Sequence, residues 1–318
     1  MHLVIIGYGY SSEAIARELR PTLASLHVTA RSPEKVARLR AEGLDASVFD
    51  GTSIPAALAE ALARANAILI SAPPSEAGDP LLNAPGFAGP EHGAQKWTPV
   101  LPNAMRQNKE LEPGFAPMNT QRSLAMEALS RIVYLSTVGV YGDHGGAWVT
   151  ETTEPRPGSQ RSRQRVAAEA AWQAFAGARG LDLTIFRLSG IYGPGRSAID
   201  GLRNGTARRI IKPGQVFNRI HVADISGAVG RALTQEKPPG IYNLTDDEPC
   251  PPQDVVVRAA RLLGLAPPPE IPFDEAELSP MGRSFYGENK RVSNARIKAI
   301  LGYSFRCPTY REGLAACL

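Results

Sequence analysis

The strongest constraint on this chain lies at its start, where "HLVIIG", an unbroken apolar run closed by glycine, passes directly into "YGYSSEAIARELR". A run with no polar alternation suits a parallel strand buried on both faces. The residues behind it set Ala14, Ile15 and Leu19 at helical spacing, and Pro21 ends them. The alternation continues. "SLHVTARS" predicts a second strand and "PEKVARLRAEG" a helix with proline in its first turn and Gly43 at its end. "DASVFD", "PAALAEALARA" and "NAILISAPP" predict strand, helix and strand again. Strands alternating with helices imply an α/β fold with a parallel sheet covered on both sides.

Between Ser75 and Met118 the pattern lapses into a stretch rich in Pro, Gly and Asn. A loop of that length predicts a surface excursion, a disordered insert or a lid. Order resumes with "NTQRSLAMEAL" as a capped helix, "RIVYLSTV" as a strand, "RVAAEAAWQAFAGARG" as a helix and "LDLTIFRLSG" as another buried strand. Beyond Gly190 the elements shorten and prolines multiply, with strand signals in "FNRIHVADI" and "GIYNLTDDEP" and small helices towards the end. The expected organisation is a dinucleotide-binding unit of Rossmann type over residues 1–188, doubly wound, with the irregular insert at 75–118. A smaller C-terminal substrate domain over 189–318 is interleaved with returns to the main sheet from about 217–245.

Composition narrows the partners. The 318 residues are 43% hydrophobic and 21% charged, with a formal net charge of +4. Basic residues are scattered, with small clusters at Arg161–Arg165 and Arg208–Lys212 and no basic stripe interleaved with aromatics, which argues against nucleic acid. A modest arginine excess suits an anionic small molecule. Cys250, Cys307 and Cys317 lack metal or redox spacing, so no metal is expected and a cytoplasmic setting is. "MHLVIIGYG" does not read as a signal peptide, and no apolar run reaches the roughly 18 residues of a membrane span.

"GYGYSS" stands where the first strand gives way to the first helix, the place where backbone N–H groups and a helix N-terminus bind a pyrophosphate. Gly7 permits the tight turn and Gly9 the close approach of phosphate, while Tyr10 and Ser11 open the helix. Ser12 replaces the third glycine of the usual pattern, as a small residue that can also donate to phosphate. Cofactor choice falls at the end of the second strand. There "TARSPEK" offers Arg31 and Ser32, with Lys35 nearby and no acid before Glu34. A carboxylate at this point accepts from the ribose 2′-hydroxyl of NAD, whereas arginine matches the 2′-phosphate of NADP, so NADP is expected ahead of NAD. Asp50 is placed to read the adenine amino group, with a helix cap as its alternative role.

Together "GYGYSS", "SAPP", "YLSTVGVYG", "RVAAE", "FRLSGIYGPG" and "FNRIHVADI" resemble, in order and spacing, the extended short-chain dehydrogenase/reductases, the NAD-dependent epimerase/dehydratase group. The resemblance spans nearly the whole chain except 75–118. It implies hydride transfer at a nicotinamide, cofactor contacts from Ser71, Ala72 and Pro73, and Leu188 and Ser189 at the nicotinamide end. It also implies a catalytic Ser/Thr, Tyr and Lys, often with an asparagine on the preceding helix, and commonly a homodimer, for which the apolar "RVAAEAAWQAFAGA" is suited. Thr137 matches the hydroxyl position and Asn119 stands near the asparagine. Arg165 falls on the lysine and Arg161 on the tyrosine.

That substitution removes the usual mechanism, because a guanidinium does not release a proton near neutral pH. Arg165 could keep the lysine's hold on the ribose, and Arg161 could clamp an anion or steady an oxyanion. For a proton donor the sequence offers Tyr141, which otherwise packs as a strand-end aromatic. His221 is a second candidate, with hydrogen bonding at the base of a helix as its structural role, and Asp224 reads as a helix-start residue. Arg196 and Arg219 are candidates to face an anionic substrate. Phe217 stands near where nucleotide-sugar enzymes place an arginine for a diphosphate. The expected activity is an oxidoreductase or epimerase acting by a non-standard route on a small anionic metabolite. The alternative is an inactive NAD(P)-sensing protein.

Overall fold

A computed structural model describes residues 1–88, 124, 126–236 and 238–318. Its first half follows the sequence pattern: β1 (His2–Ile6), α1 (Tyr10–Leu19), β2 (Ser25–Ala30), α2 (Pro33–Ala41), β3 (Asp45–Val48), α3 (Ala56–Arg64) and β4 (Ala67–Ile70). After the insert come β5 (Arg131–Thr137), α4 (Gln160–Arg179) and strands Asp182–Leu188 and Gly240–Leu244. These seven strands form one sheet in the order β3-β2-β1-β4-β5, then Asp182–Leu188, then Gly240–Leu244. Every pairing in it is parallel. The strand order reverses between β1 and β4, and such a switch point leaves a crevice at the carboxyl ends of the strands.

Each face of the sheet has its own core. One cluster joins Ile5, Val28 and Val133 to Ile15 and Leu19 of α1, Val36 and Leu39 of α2, and Ile225 and Val229 of the helix Val222–Thr234. The other joins Ile6, Ile68 and Ile132 to Leu58 of α3 and to Trp172 and Phe175 of α4. The second core holds a surprise from the insert. Leu81 and Phe87 are fully buried, and Phe87 stacks on Phe175 at 5.3 Å and meets Trp172 edge-on at 6.2 Å. The surface excursion expected from Ser75 onward therefore sends Leu81, Leu82, Ala84, Phe87 and Ala88 into this core, with Asn83 and Pro85 exposed between them, and the lid or disorder expected of 89–118 lies outside the described residues. Asn119 and most of the helix expected at 119–129 lie outside them too. Trp172 and Phe175, the large apolar residues of the stretch expected to suit a dimer, are covered within the chain.

The strand expected in "FNRIHVADI" exists as Arg219–His221 but does not join the main sheet; it pairs with Gly190–Tyr192 in a separate two-stranded ladder. Only Gly240–Leu244 of the expected return reaches the central sheet. Late in the chain, Arg291–Val292 pairs with Trp148–Val149, which brings the segment around residue 290 back against the turn that follows β5. No helix among the described residues is long and apolar enough to cross a membrane.

Candidate functional site

The crevice is built from the β1–α1 turn outward. Gly7 has φ +90°, and a Cβ there would lie 2.6 Å from the Ala72 nitrogen, so glycine is required by both conformation and space. The Ser71 and Ala72 N–H groups both donate to the Ile6 carbonyl at 2.9 Å, which holds the β4 exit against this turn. Pro73 behind them is exposed. Gly9 is the N-cap of α1, with no side chain capping the helix and nothing within 4 Å of its Cβ position. Open space above uncapped helical N–H groups is what a pyrophosphate needs. These residues fit the diphosphate of a dinucleotide.

Two serines of the motif face inward instead. The Ser12 hydroxyl donates to the Gly7 carbonyl at 2.8 Å and is fully buried, so it braces the turn and does not reach phosphate. Ser11 is also buried. Tyr10 bridges the crevice: its hydroxyl donates to the Pro194 carbonyl at 3.1 Å, and the exposed Arg196 lies over its ring at 5.6 Å. At the end of β2, Arg31 is exposed and Ser32 caps α2 by accepting from the Lys35 nitrogen at 3.1 Å. Ser32 also donates to Glu34, and that bond holds the Glu34 carboxyl below its ordinary range. The Lys35 ammonium donates to the Tyr8 carbonyl in the glycine turn. Asp50 is exposed and accepts from the hydroxyl and backbone N–H of Thr52, bonds that lower its carboxyl below the ordinary value.

At the nicotinamide end, Thr137 Oγ1 accepts from the Gly139 nitrogen at 3.1 Å, and its O–H donates to no group among the described residues. Ser162 is passed over in the sequence; its Oγ and Thr137 Oγ1 lie 3.0 and 3.4 Å, respectively, from the Cβ position of Gly139. Arg161 is exposed at the first turn of α4, over the Phe285 ring at 5.9 Å. Arg165 turns towards β5, donating to the Leu135 carbonyl at 2.8 Å and the Tyr134 hydroxyl at 3.0 Å. Burial pushes the Tyr134 phenol up to about 12, against the opposing charge of Arg165.

The expectation that Tyr141 presents its phenol to the cleft fails. The side chain is fully buried, donating to Asn243 Oδ1 at 2.7 Å and accepting from Arg187 at 3.0 Å. Arg187 is ion-paired with Glu169 at 2.7 Å, and Glu169 accepts from the Ser136 hydroxyl at 2.5 Å. This buried network satisfies its members and leaves Tyr141 no proton to offer a substrate. Leu188 and Ser189 also turn inward. Leu188 joins the core, and the Ser189 hydroxyl donates to the Leu244 carbonyl at 3.1 Å. His221 caps the helix Val222–Thr234 by accepting from the Ala223 nitrogen at 3.2 Å, and burial lowers its pKa. Arg219 is spent on the Phe217 carbonyl at 3.1 Å and on Cys250.

His221, Asp224 and Cys307 bring potential metal-ligand atoms within 4.8 Å of one another. The Asp224 carboxylate is already taken by the Tyr303 hydroxyl at 3.0 Å and by the Arg306 and Cys307 nitrogens at 2.6 and 3.0 Å. With His221 Nδ1 occupied as an acceptor as well, the cluster pins the C-terminal segment to a helix N-terminus. All three cysteines are free and buried.

This geometry agrees with the comparisons to known proteins. The model of the NAD dependent epimerase/dehydratase family matches residues 118–245. Residues 118–245 are thus similar to that family. Within and around it, a conserved protein of unknown function from Silicibacter pomeroyi DSS is 41% identical, with 99% of this chain and 97% of that one covered and a TM-score of 0.80. Protein YeeZ of Escherichia coli K12 is 32% identical over 183 residues, which span 57% of this chain and 60% of that protein. A 3-diazoavenalumate denitrifying reductase of a Streptomyces species is 31% identical over 144 residues, 41% of this chain and 45% of that enzyme. The chain thus spans less than two thirds of the curated relatives it matches.

Proposed function

We propose that this chain acts as an epimerase/dehydratase family member, binding NADP(H) and carrying out hydride transfer on a small anionic metabolite. The observation that carries the reading is the β2 terminus: an exposed Arg31 next to the Ser32 cap, where the strand end itself carries no carboxylate and the nearest, Glu34, is held by the Ser32 hydroxyl. When bound, the nicotinamide supplies or accepts the hydride. Gly7 and Gly9 admit the diphosphate, Asp50 reads the adenine, Thr137 orients the reacting oxygen and Arg161 holds negative charge. Support for a reductase comes from the Streptomyces relative, which is named a 3-diazoavenalumate denitrifying reductase.

The test is a fluorescence titration of the purified protein with NADPH and NADH. NADPH is expected to bind at least tenfold more tightly, with that preference lost in Arg31→Ala. Equal affinities would remove the NADP assignment, and no affinity for either would remove the function. One observation favours a second reading, a dinucleotide sensor without turnover: the phenol of Tyr141 is sealed away and Arg161 cannot give up a proton.

A further inference from the structure

Arg161 has an apolar companion at the mouth of the crevice. We infer that Arg161 and Phe285 form one substrate subsite, and that it takes a carboxylate joined to an aromatic ring through a short spacer; this rests on the hydride-transfer reading above. The start of α4 stands at the carboxyl end of β5. Ser159 caps the helix by accepting from the Ser162 nitrogen at 3.2 Å, and the Oγ atoms of Ser162 and Thr137 lie against the same Gly139 Cβ position. Arg161 immediately precedes Ser162. The other arginines of this turn are engaged: Arg163 donates to the Gly158 carbonyl at 3.3 Å and Arg165 to the Leu135 carbonyl at 2.8 Å. Arg161 is exposed and makes no such bond among the described residues; its guanidinium lies over the Phe285 ring at 5.9 Å.

Phe285 is held in water by the residue after it. Tyr286 is the one that turns inward, its ring 5.0 Å from those of both Phe217 and Phe273, and its carbonyl accepts from the Lys212 ammonium. That anchor fixes the helix Pro280–Phe285 and leaves Met281 and Phe285, neighbours on one helical face, 56% and 57% exposed. Two large apolar side chains kept open beside a charged group form a surface that suits an amphipathic ligand. Where arginine and ring simply pack, the spacing is closer, as with Arg179 over Phe175 at 4.1 Å. The acids nearby are already matched. Glu288 Oε1 lies 3.6 Å from the Cβ position of Gly158, but Glu288 Oε2 is bound to Lys290 at 2.6 Å, and the Lys290 ammonium also donates to the Gly142 carbonyl. Glu76 accepts from the Gln160 amide. Arg161 is thus left to bind an anion, which a guanidinium does bidentately for a carboxylate. An aromatic ring attached to that anion would meet the Phe285 ring offset or edge-on, with the Met281 thioether available to its rim. The 5.9 Å between guanidinium and ring favours a two-carbon spacer over a carboxylate fixed directly to the ring.

The experiment uses the full chain. A titration first shows whether NADP binds and fixes a saturating concentration. Calorimetric titrations of the NADP-loaded protein then compare three probes: trans-cinnamate; crotonate, which keeps the carboxylate and spacer but has a methyl for the ring; and trans-cinnamamide, which keeps the ring but has no charge. Cinnamate is expected to bind about tenfold more tightly than either. Phe285→Ala is expected to abolish the preference for cinnamate over crotonate, and Arg161→Met the preference for cinnamate over cinnamamide. Both side chains are exposed, so unchanged thermal melts and NADP affinities show that each variant is intact. Failure of cinnamate to bind, equal affinities for cinnamate and crotonate, or a preference that survives in Phe285→Ala would overturn the inference. Absence of NADP binding in the first step would instead remove the underlying reading.

Discussion

Replacing Asp246 with asparagine is expected to stabilise the protein progressively as the pH rises. Asp246 is 1% exposed; its Oδ1 accepts from the Glu248 nitrogen at 3.3 Å, and its Oδ2 has no partner among the described residues. Burial pushes its carboxyl up to about 8 from an ordinary 3.8, although Arg219 draws it down. The folded state therefore keeps a proton that the unfolded chain releases, and stability falls as pH rises from about 4 to about 8. At about 1.4 kcal/mol per pH unit, the full window sets a ceiling of about 6 kcal/mol. Relaxation around the ionised group and water entry bring the expected net effect to about 1–3 kcal/mol. Asn keeps the Oδ1 acceptor and removes the ionisation. Thermal melts of both proteins from pH 4.5 to 9 should show the variant's advantage in Tm growing by about 2–6 °C and levelling above pH 8. An advantage that does not change with pH would refute the assignment of an ionisable, unpartnered carboxyl at this site.

Gly9→Ala should leave Tm within about 1 °C, since nothing lies near the new methyl, while NADPH affinity falls at least tenfold because that methyl intrudes on the phosphate. Gly7→Ala should lower both, by about 2 kcal/mol or more in stability, since its Cβ would meet Ala72 backbone at a positive φ. Tyr141→Phe should cost about 1–3 kcal/mol in a denaturant melt by leaving Asn243 and Arg187 short of a partner, with NADPH affinity unchanged; a specific loss of turnover without loss of stability would restore it as a catalyst. Glu169→Gln should cost about 3–5 kcal/mol by stranding the buried Arg187 charge, measured in the same way.

Much of this protein is legible locally. The apolar runs "HLVII", "AILI" and "IVYL" have no polar alternation because both faces of their strands are covered, so their place in a parallel sheet follows from composition alone. The glycines of the β1–α1 turn are equally legible from their place between strand and helix, and at Gly7 a positive φ and a close approach to Ala72 supply the reason. The identities of Arg161 and Arg165 are enough to exclude the usual proton donor, because guanidinium chemistry does not depend on where the side chain points.

Direction and partnership belong to the tertiary structure. Tyr141 and Ser12 read as site residues, yet their hydroxyls are consumed by Asn243 and by the Gly7 carbonyl, partners that no spacing in the sequence announces. Phe87 reads as part of a loose insert and is core, because an apolar ring follows the nearest uncovered surface, here Trp172 and Phe175 of α4, rather than any helical or strand period. Lys290 and Glu288 sit far down the chain and carry no motif; the pairing of Arg291–Val292 with Trp148–Val149 and the bonds of Asn289 to Asp143, His144 and Gly146 set them against Gly142 and Gly158. Residue type sets which chemistry is available, and the contacts made across the sheet's end set which groups are left free to perform it.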